Sequence, residues 1–312
     1  MKRFILSICI SSLVLNSVCY AEEAPTPPPA PVYEKKSIFW TPTLNIFLPG
    51  LGQGMDNETS KSLLFAGVGF TGAYIAVDAY QKEQKYLESL SGAGKDDLNY
   101  HEDIKHQELI GNSMYIQAGF MSGWDTFNSR VKAYQAEGKF QFLPKNQSAT
   151  EYLKAPFHFS YMTRATTWIP FLLSLGLSYD YLVNDPSVPD KLHYRGGDIA
   201  TGMYLSYNAG TGEEAYFRGV LHPTLYEAWG GSGWANFAQG LVFGFMHGPA
   251  PYPQLIAGWY LGWLAERNGF DLGENIFIHA WWDVWLITAS LIADRSSANE
   301  VYIQLPTFSM RF

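Results

Sequence analysis

Two long apolar runs limit what this chain can fold into. Residues Ser62 to Tyr80 carry a single charge, Asp78, and Glu274 to Ala293 form a second, nearly continuous apolar run. A helix of about twenty apolar residues is long enough to cross the hydrocarbon core of a bilayer. Membrane barrels instead need short strands in which apolar and polar residues alternate. We therefore predict an all-α fold, a polytopic helical membrane protein.

The composition agrees with that class. The 312 residues are 47% hydrophobic and only 16% charged, and the formal net charge is -8, whereas soluble domains carry about a quarter charged residues. An acidic balance argues against nucleic acid as a partner, because binding the phosphate backbone requires a basic surface. The expected surroundings are the lipid bilayer.

The first residues have the features of a secretory signal. Lys2 and Arg3 precede an apolar run from Phe4 to Val18, and Cys19-Tyr20-Ala21 supplies a small-x-small end. We predict a signal peptide over residues 1–21, with an uncleaved membrane anchor as the alternative. A proline-rich linker is predicted over 22–37, where five prolines keep the backbone extended. A signal-like start followed by helical spans indicates a multi-pass protein of a bacterial inner membrane.

The middle of the chain alternates apolar and polar segments. Residues 38–160 are predicted to be a membrane-associated region with one or two spans, Ser62 to Tyr80 and Leu109 to Phe127. The polar segment from Gln81 to His106 between them is predicted to be an exposed loop with some helix at its start. The glycine-rich Pro49-Gly-Leu-Gly-Gln-Gly54 before the first span predicts a tight turn. Residues 161–293 are predicted to form a helical bundle, and 294–312 a C-terminal tail.

The bundle contains ionisable residues in an apolar setting. The set is Glu213, Glu214, Arg218, His247, His279 and Asp283. A charge in hydrocarbon costs on the order of 2.5 to 3.5 kcal/mol on insertion scales, so each of these groups must face a partner or a wet cavity. Glu214 and Arg218 are spaced i, i+4 on a helix and can pair, which leaves Glu213 free.

Two reactions fit such a set. In the first, Glu213 takes a proton from a water that His247 helps to hold, and His279 with Asp283 stabilises the oxyanion side. In the second, zinc bound by His247, His279 and Glu213 supplies the nucleophilic water. Both reactions make the protein a hydrolase, and the residues alone leave the choice open.

Three short motifs give the bundle a specific resemblance. EExxxR at Glu213 to Arg218, FxxxH at Phe243 to His247 and HxxxN/D at His279 to Asp283 resemble, in order and spacing, the motifs of the CPBP family of intramembrane endopeptidases. This family includes type II CAAX prenyl proteases and bacteriocin-processing and immunity proteins. The resemblance spans about Gly197 to Ala293.

The resemblance implies a role for each motif residue. Glu213 would be the catalytic glutamate, His247 its partner on the water, and His279 with Asp283 the lining of the oxyanion side. Glu214 and Arg218 would support the helix. The resemblance implies that the C-terminal part is an intramembrane protease bundle. Its activity would be hydrolysis of a peptide bond in a membrane or secreted peptide or protein.

Other readings stay open at this point. The chain could be an inactive CPBP-like scaffold or a bacteriocin immunity protein, and an outer-membrane β-barrel is the least favoured alternative. The remaining histidines receive no catalytic role. His222 is expected at a helix end, and the others, His101, His106, His158 and His193, are expected in polar loops.

Overall fold

The structure is a computed structural model, and it describes residues 36–91, 98–145, 147–188, 192–248 and 252–296. The described residues form helices and turns without any β-strand, so the predicted all-α class is confirmed. The predicted signal peptide, almost all of the linker and most of the C-terminal tail lie outside the described residues.

Short helices and one long helical pair build the N-terminal region. The helices are α1 (Trp40–Leu44), α2 (Leu51–Met55), α3 (Thr59–Ser91), α4 (Leu98–Ala136) and α5 (Ala149–Lys154). In α3 and α4, Gly72 lies opposite Gly111, and Glu83 lies opposite His101, so the two helices run antiparallel. A Cβ built on Gly72 would lie 2.6 Å from the carbonyl oxygen of Gly111; the two glycines therefore allow the backbones to approach closely.

The polar loop predicted from Gln81 to His106 is wrong in its main part, because α3 continues to Ser91 and α4 begins at Leu98. Hydropathy falls there, but helical structure persists because the polar side chains pair across the two helices. His101 Nε2 lies 3.1 Å from Glu83 Oε1, and its ring packs 5.2 Å from that of Tyr86. Both helices thus extend well beyond their apolar stretches.

His106 was likewise wrongly expected in a loop. It lies inside α4, almost fully buried, with Nε2 3.5 Å from Oδ1 of Asp198. Burial lowers the pKa of His106, although the carboxylates of Asp198 and Glu102 oppose this shift. His106 is therefore buried against Asp198, in the first turn of the helix Gly196–Tyr216, and does not lie in a solvated segment.

The second half forms the bundle. Its helices are α6 (Ala165–Asn184), α7 (Gly196–Tyr216), α8 (His222–Ala228), α9 (Trp234–Phe245), α10 (Tyr252–Arg267) and α11 (Gly273–Ser296), with a π-helical turn at Phe217–Leu221 and 3-10 turns at Ala155–Phe157 and Phe159–Thr163. Helix α7 packs along α11, and α9 along α10. Close packing is possible because Gly202 lies against Thr288, and Gly210 against Ala280.

Two of these helices are long and apolar enough to cross a membrane, Thr59–Ser89 and Gly273–Arg295. Helix α6 adds an outward apolar face, and its exposed large side chains include Ile169, Leu172, Leu173, Tyr179 and Val183. Apolar side chains on the outside of a helical bundle fit a lipid environment better than water.

Candidate active site

Helix α7 and the turn after it present the two glutamates and the arginine. Glu213 and Glu214 lie in the last turn of α7, and Arg218 lies in the π-helical turn Phe217–Leu221 that follows. Single π-helical turns inserted between α-helices are frequent at functional sites. This turn leaves Arg218 within reach of Glu214.

The Glu214 carboxylate is held by three partners. Arg218 Nη1 donates to Glu214 Oε1 over 2.7 Å, and His279 Nδ1 lies 2.7 Å from the same oxygen. Arg218 and Glu214 are both fully buried, and Arg218 also donates to the carbonyl of Gly258 over 3.0 Å. A buried ion pair is stable only when such additional hydrogen bonds satisfy its remaining polar atoms.

The third partner, Asn275, was not found by the sequence reasoning. Its Nδ2 donates to the carbonyl of Leu261 over 2.6 Å and lies 3.4 Å from Glu214 Oε2. Asn275 precedes His279 by four residues on α11, so both side chains lie on one face of that helix. This i, i+4 spacing is the only sequence signal that points to Asn275.

Glu213 has the opposite environment. Its Oε2 atom is buried and has no hydrogen-bond partner among the described residues. The two nearest nitrogens are His247 Nε2 at 3.6 Å and His279 Nε2 at 3.7 Å. Polar atoms at this separation are commonly bridged by a water molecule.

The hydrogen bonds at Nδ1 fix how each imidazole faces Glu213. His247 Nδ1 lies 2.6 Å from the carbonyl oxygen of Phe243, and a carbonyl only accepts, so Nδ1 must carry the proton. Likewise, Nδ1 of His279 lies 2.7 Å from Glu214 Oε1 and donates to this oxygen, which also accepts from Arg218. Both histidines therefore turn Nε2 toward Oε2 of Glu213.

Asp283 completes the group at its more open side. Its Oδ2 lies 3.5 Å from His279 Nε2, and 18% of its side chain is exposed. His279 Nε2 thus faces two carboxylates, those of Glu213 and Asp283. The structure brings together all six residues singled out in the sequence, and the pairing expected of Glu214 and Arg218 is present.

His222 was expected at a helix end. It is the first residue of α8, and the preceding π-helical turn continues directly into that helix. It is fully buried, with Nε2 2.9 Å from Glu266 Oε1 and its ring 5.2 Å from that of Phe270. Its contacts are those of a core histidine.

The described residues contain no group of three or more His, Cys, Asp or Glu side chains arranged to hold a metal ion. The geometry provides a buried carboxylate oxygen, two imidazole nitrogens facing it, and a second carboxylate fixed by an arginine. Groups of these kinds can activate a water molecule and stabilise an oxyanion.

Comparison with known families agrees with this chemistry. Residues 196–285 match the family described as type II CAAX prenyl endopeptidase Rce1-like. All six site residues fall inside the match, so the resemblance predicted from the sequence is confirmed. The match supports a protease in a membrane setting.

The match covers less than a third of the chain, and everything before residue 196 lies outside it. No curated protein matches the chain, and no solved structure does.

Proposed function

We propose that this protein is a membrane-embedded endopeptidase in which Glu213 and His247 activate a water molecule. The observation that carries the proposal is the buried Oε2 of Glu213, which makes no hydrogen bond among the described residues and has two imidazole nitrogens 3.6 and 3.7 Å away. A buried carboxylate oxygen without a partner is costly, and such costs are concentrated at functional sites. One water bound there would satisfy this oxygen and would be ready to react.

The reaction follows from these positions. Glu213 takes a proton from the water while His247 Nε2 holds it, and the water oxygen attacks the carbonyl carbon of the peptide bond. His279 stabilises the oxyanion that forms. Glu213 then passes its proton to the leaving nitrogen as the C–N bond breaks, which yields a new carboxyl terminus and a new amine.

The two adjacent glutamates cannot exchange roles. Glu214 already accepts from Arg218 and His279, and protonating it would leave the buried Arg218 charge without its partner. Glu213 Oε2 makes no such hydrogen bond with any residue that the structure describes. The assignment of the base to Glu213 thus rests on the different hydrogen bonding of the pair.

Asp283 acts through His279 in this scheme. The Asp283 side chain lies 3.5 Å from His279 Nε2 and helps to orient the imidazole. The ring, bound at Nδ1 to Glu214, is thereby held facing the position of the oxyanion. This role suits the aspartate found where related motifs also have asparagine.

The substrate class follows from the setting. We infer a multi-pass protein of a bacterial inner membrane that cleaves an unprenylated membrane or secreted peptide. The inference is supported by the apolar helices Thr59–Ser89 and Gly273–Arg295 and by the signal-like start of the sequence. An inactive scaffold or immunity protein is the competing function.

The test compares peptide termini in membranes from cells that express the wild-type protein or Glu213→Ala at matched levels. We expect termini that appear only with the wild-type protein, and these would identify the substrate. Identical termini, with both proteins folded in the membrane, would contradict the proposal and favour the inactive alternative.

A further inference from the structure

We propose that Gln117, in the N-terminal helix α4, positions the catalytic Glu213 by packing on the backbone of the residue before it, Gly212. The inference rests on the proposed function, since it concerns the same glutamate. It assigns a role to the part of the chain that lies outside the family match. Its basis is a row of contacts between α4 and α7.

The row follows one face of each helix. Ser113, Gln117 and Trp124 are spaced by four and seven residues, which places them on one face of α4. They meet, in the same order along the chain, Asn208, the Thr211–Gly212 pair, and Gly219. Helices α4 and α7 therefore run parallel and in register, up to the turn that carries Arg218.

Gln117 makes the contact nearest to the base. Its Nε2 donates to Thr211 Oγ1 over 2.7 Å, and its side chain is buried. Gly212 has no side chain, and a Cβ at that position would overlap Oε1 of Gln117. The amide thus lies directly on the backbone of the residue before Glu213.

Trp124 makes the corresponding contact beyond the glutamates. A Cβ on Gly219 would lie 2.6 Å from Trp124 Cδ1, so the indole packs on the backbone of the residue after Arg218. Tyr216 also donates to Thr43 Oγ1 over 3.0 Å. The segment between Gly212 and Gly219 is held at both ends by the N-terminal region.

The glycine-rich segment 49–54 fixes α4 from its other side. The tight turn predicted for it is limited to the residues around Gly50, because the chain is helical from Leu51 onward, in α2. Gly50 adopts a φ of 89°, which the left-handed region allows to glycine at little cost. Just after it, Gln53 Nε2 donates to the carbonyl of Ser122 over 2.9 Å, and Ser122 Oγ donates to Gln53 Oε1 over 2.8 Å. These hydrogen bonds hold in place the stretch of α4 between Gln117 and Trp124.

Positioning matters because the base must meet its water and the substrate at a fixed distance. A displacement of about 1 Å at a catalytic group can cost on the order of a hundredfold in rate. Gly212 is bonded directly to Glu213, so a displacement of the Gly212 backbone also displaces the Glu213 carboxylate. We therefore expect changes at Gln117 to alter kcat and to leave KM nearly unchanged.

The test is a double-mutant cycle between Gln117→Ala and Gly212→Ala, with Gly197→Ala as the control. Gly197 lies on the same helix, but a Cβ there meets nothing within 4 Å. The probe is a synthetic peptide spanning a terminus that appears with the wild-type protein and not with Glu213→Ala. Purified full-length variants in lipid nanodiscs are compared for kcat, KM and thermal unfolding.

We expect Gly212→Ala to lower kcat about tenfold or more and Gln117→Ala about fivefold, with KM within about twofold, because both move the base and neither touches the substrate. The double variant should be no slower than Gln117→Ala, since the new methyl group occupies the space that the amide leaves. This non-additivity is the signature of a direct contact. Gly197→Ala should match the wild-type protein.

The inference is overturned if the two effects multiply, if only KM changes, or if Gly212→Ala is as active as the wild-type protein. It is also overturned if removing the Gln117 side chain does not restore activity to Gly212→Ala, so that the double variant is no more active than Gly212→Ala. This outcome counts even if one of the two variants fails to fold. Failure of the proposed function gives a different result, because no terminus would then depend on Glu213.

Discussion

His279 is bound by the second glutamate of the pair and not by the first: its Nδ1 lies 2.7 Å from Glu214 Oε1, while its Nε2 is 3.7 Å from Glu213 Oε2. Glu214 also binds Arg218 through the same oxygen. The two neighbouring carboxylates therefore have different roles. Glu214 fixes the imidazole of His279, and Glu213 stays available for a water molecule.

Glu214→Gln should destabilise the protein much more than Glu213→Gln. Arg218 is fully buried, and removing one partner of a buried ion pair costs about 3 to 5 kcal/mol. Glu213 Oε2 makes no hydrogen bond within the described part of the chain and only long contacts of 3.6 and 3.7 Å with the two imidazoles, so Glu213→Gln should unfold at nearly the wild-type temperature. The unfolding temperatures of both variants in nanodiscs measure this difference. An equal fall in unfolding temperature for the two variants would contradict the different roles of the two glutamates.

Gly210→Ala should reduce activity by separating the two helices that carry the site. A Cβ on Gly210 would lie 2.7 Å from the backbone nitrogen of Ala280, the residue after His279. Helices α7 and α11 would have to move apart, and displacement of about 1 Å costs on the order of a hundredfold in kcat. The measurement is the rate of peptide cleavage.

The matched control for Gly210→Ala is Gly197→Ala, on the same helix but facing open space. It should retain wild-type activity and stability. Equal activity of the two variants would show that the close approach of α7 and α11 is not required.

The sequence predicted the parts of the fold that hydropathy and spacing encode. The spans at Ser62 to Tyr80 and Glu274 to Ala293 lie inside α3 and α11, and the pair of Glu214 with Arg218 follows from i, i+4 spacing. The polar ends of α3 and α4 were missed because falling hydropathy marks the end of an apolar face and not the end of a helix.

The rest depends on contacts between distant segments. Asn275 reaches Glu214 over 3.4 Å, and Gln117 reaches Thr211 over 2.7 Å, across 61 and 94 residues of chain. No local pattern encodes such contacts. They follow only from how α4, α7 and α11 pack.

Asp283→Asn should retain kcat within about tenfold of the wild-type value, because an asparagine amide can donate a hydrogen bond to the oxyanion directly. Asp283→Leu should lose about a hundredfold, since it offers neither a polar partner for His279 nor a donor. Cleavage rates of the two variants test this pair of expectations. Wild-type activity in Asp283→Leu would remove Asp283 from the site.

Exhaustive chelation should leave activity unchanged, and elemental analysis of the purified protein should find no zinc. The expectation follows from a base, Glu213, that acts on water without a Lewis acid. Loss of activity that added Zn²⁺ restores would instead assign Glu213, His247 and His279 as zinc ligands.

The central claim is that Glu213 activates the water. Its most direct test is the rate at which purified protein in nanodiscs cleaves the peptide defined by a Glu213-dependent terminus, compared for wild type and Glu213→Gln. Loss of a general base predicts a fall in kcat of about a thousandfold with an unchanged unfolding temperature. A folded Glu213→Gln variant that cleaves within about tenfold of the wild-type rate would contradict the account.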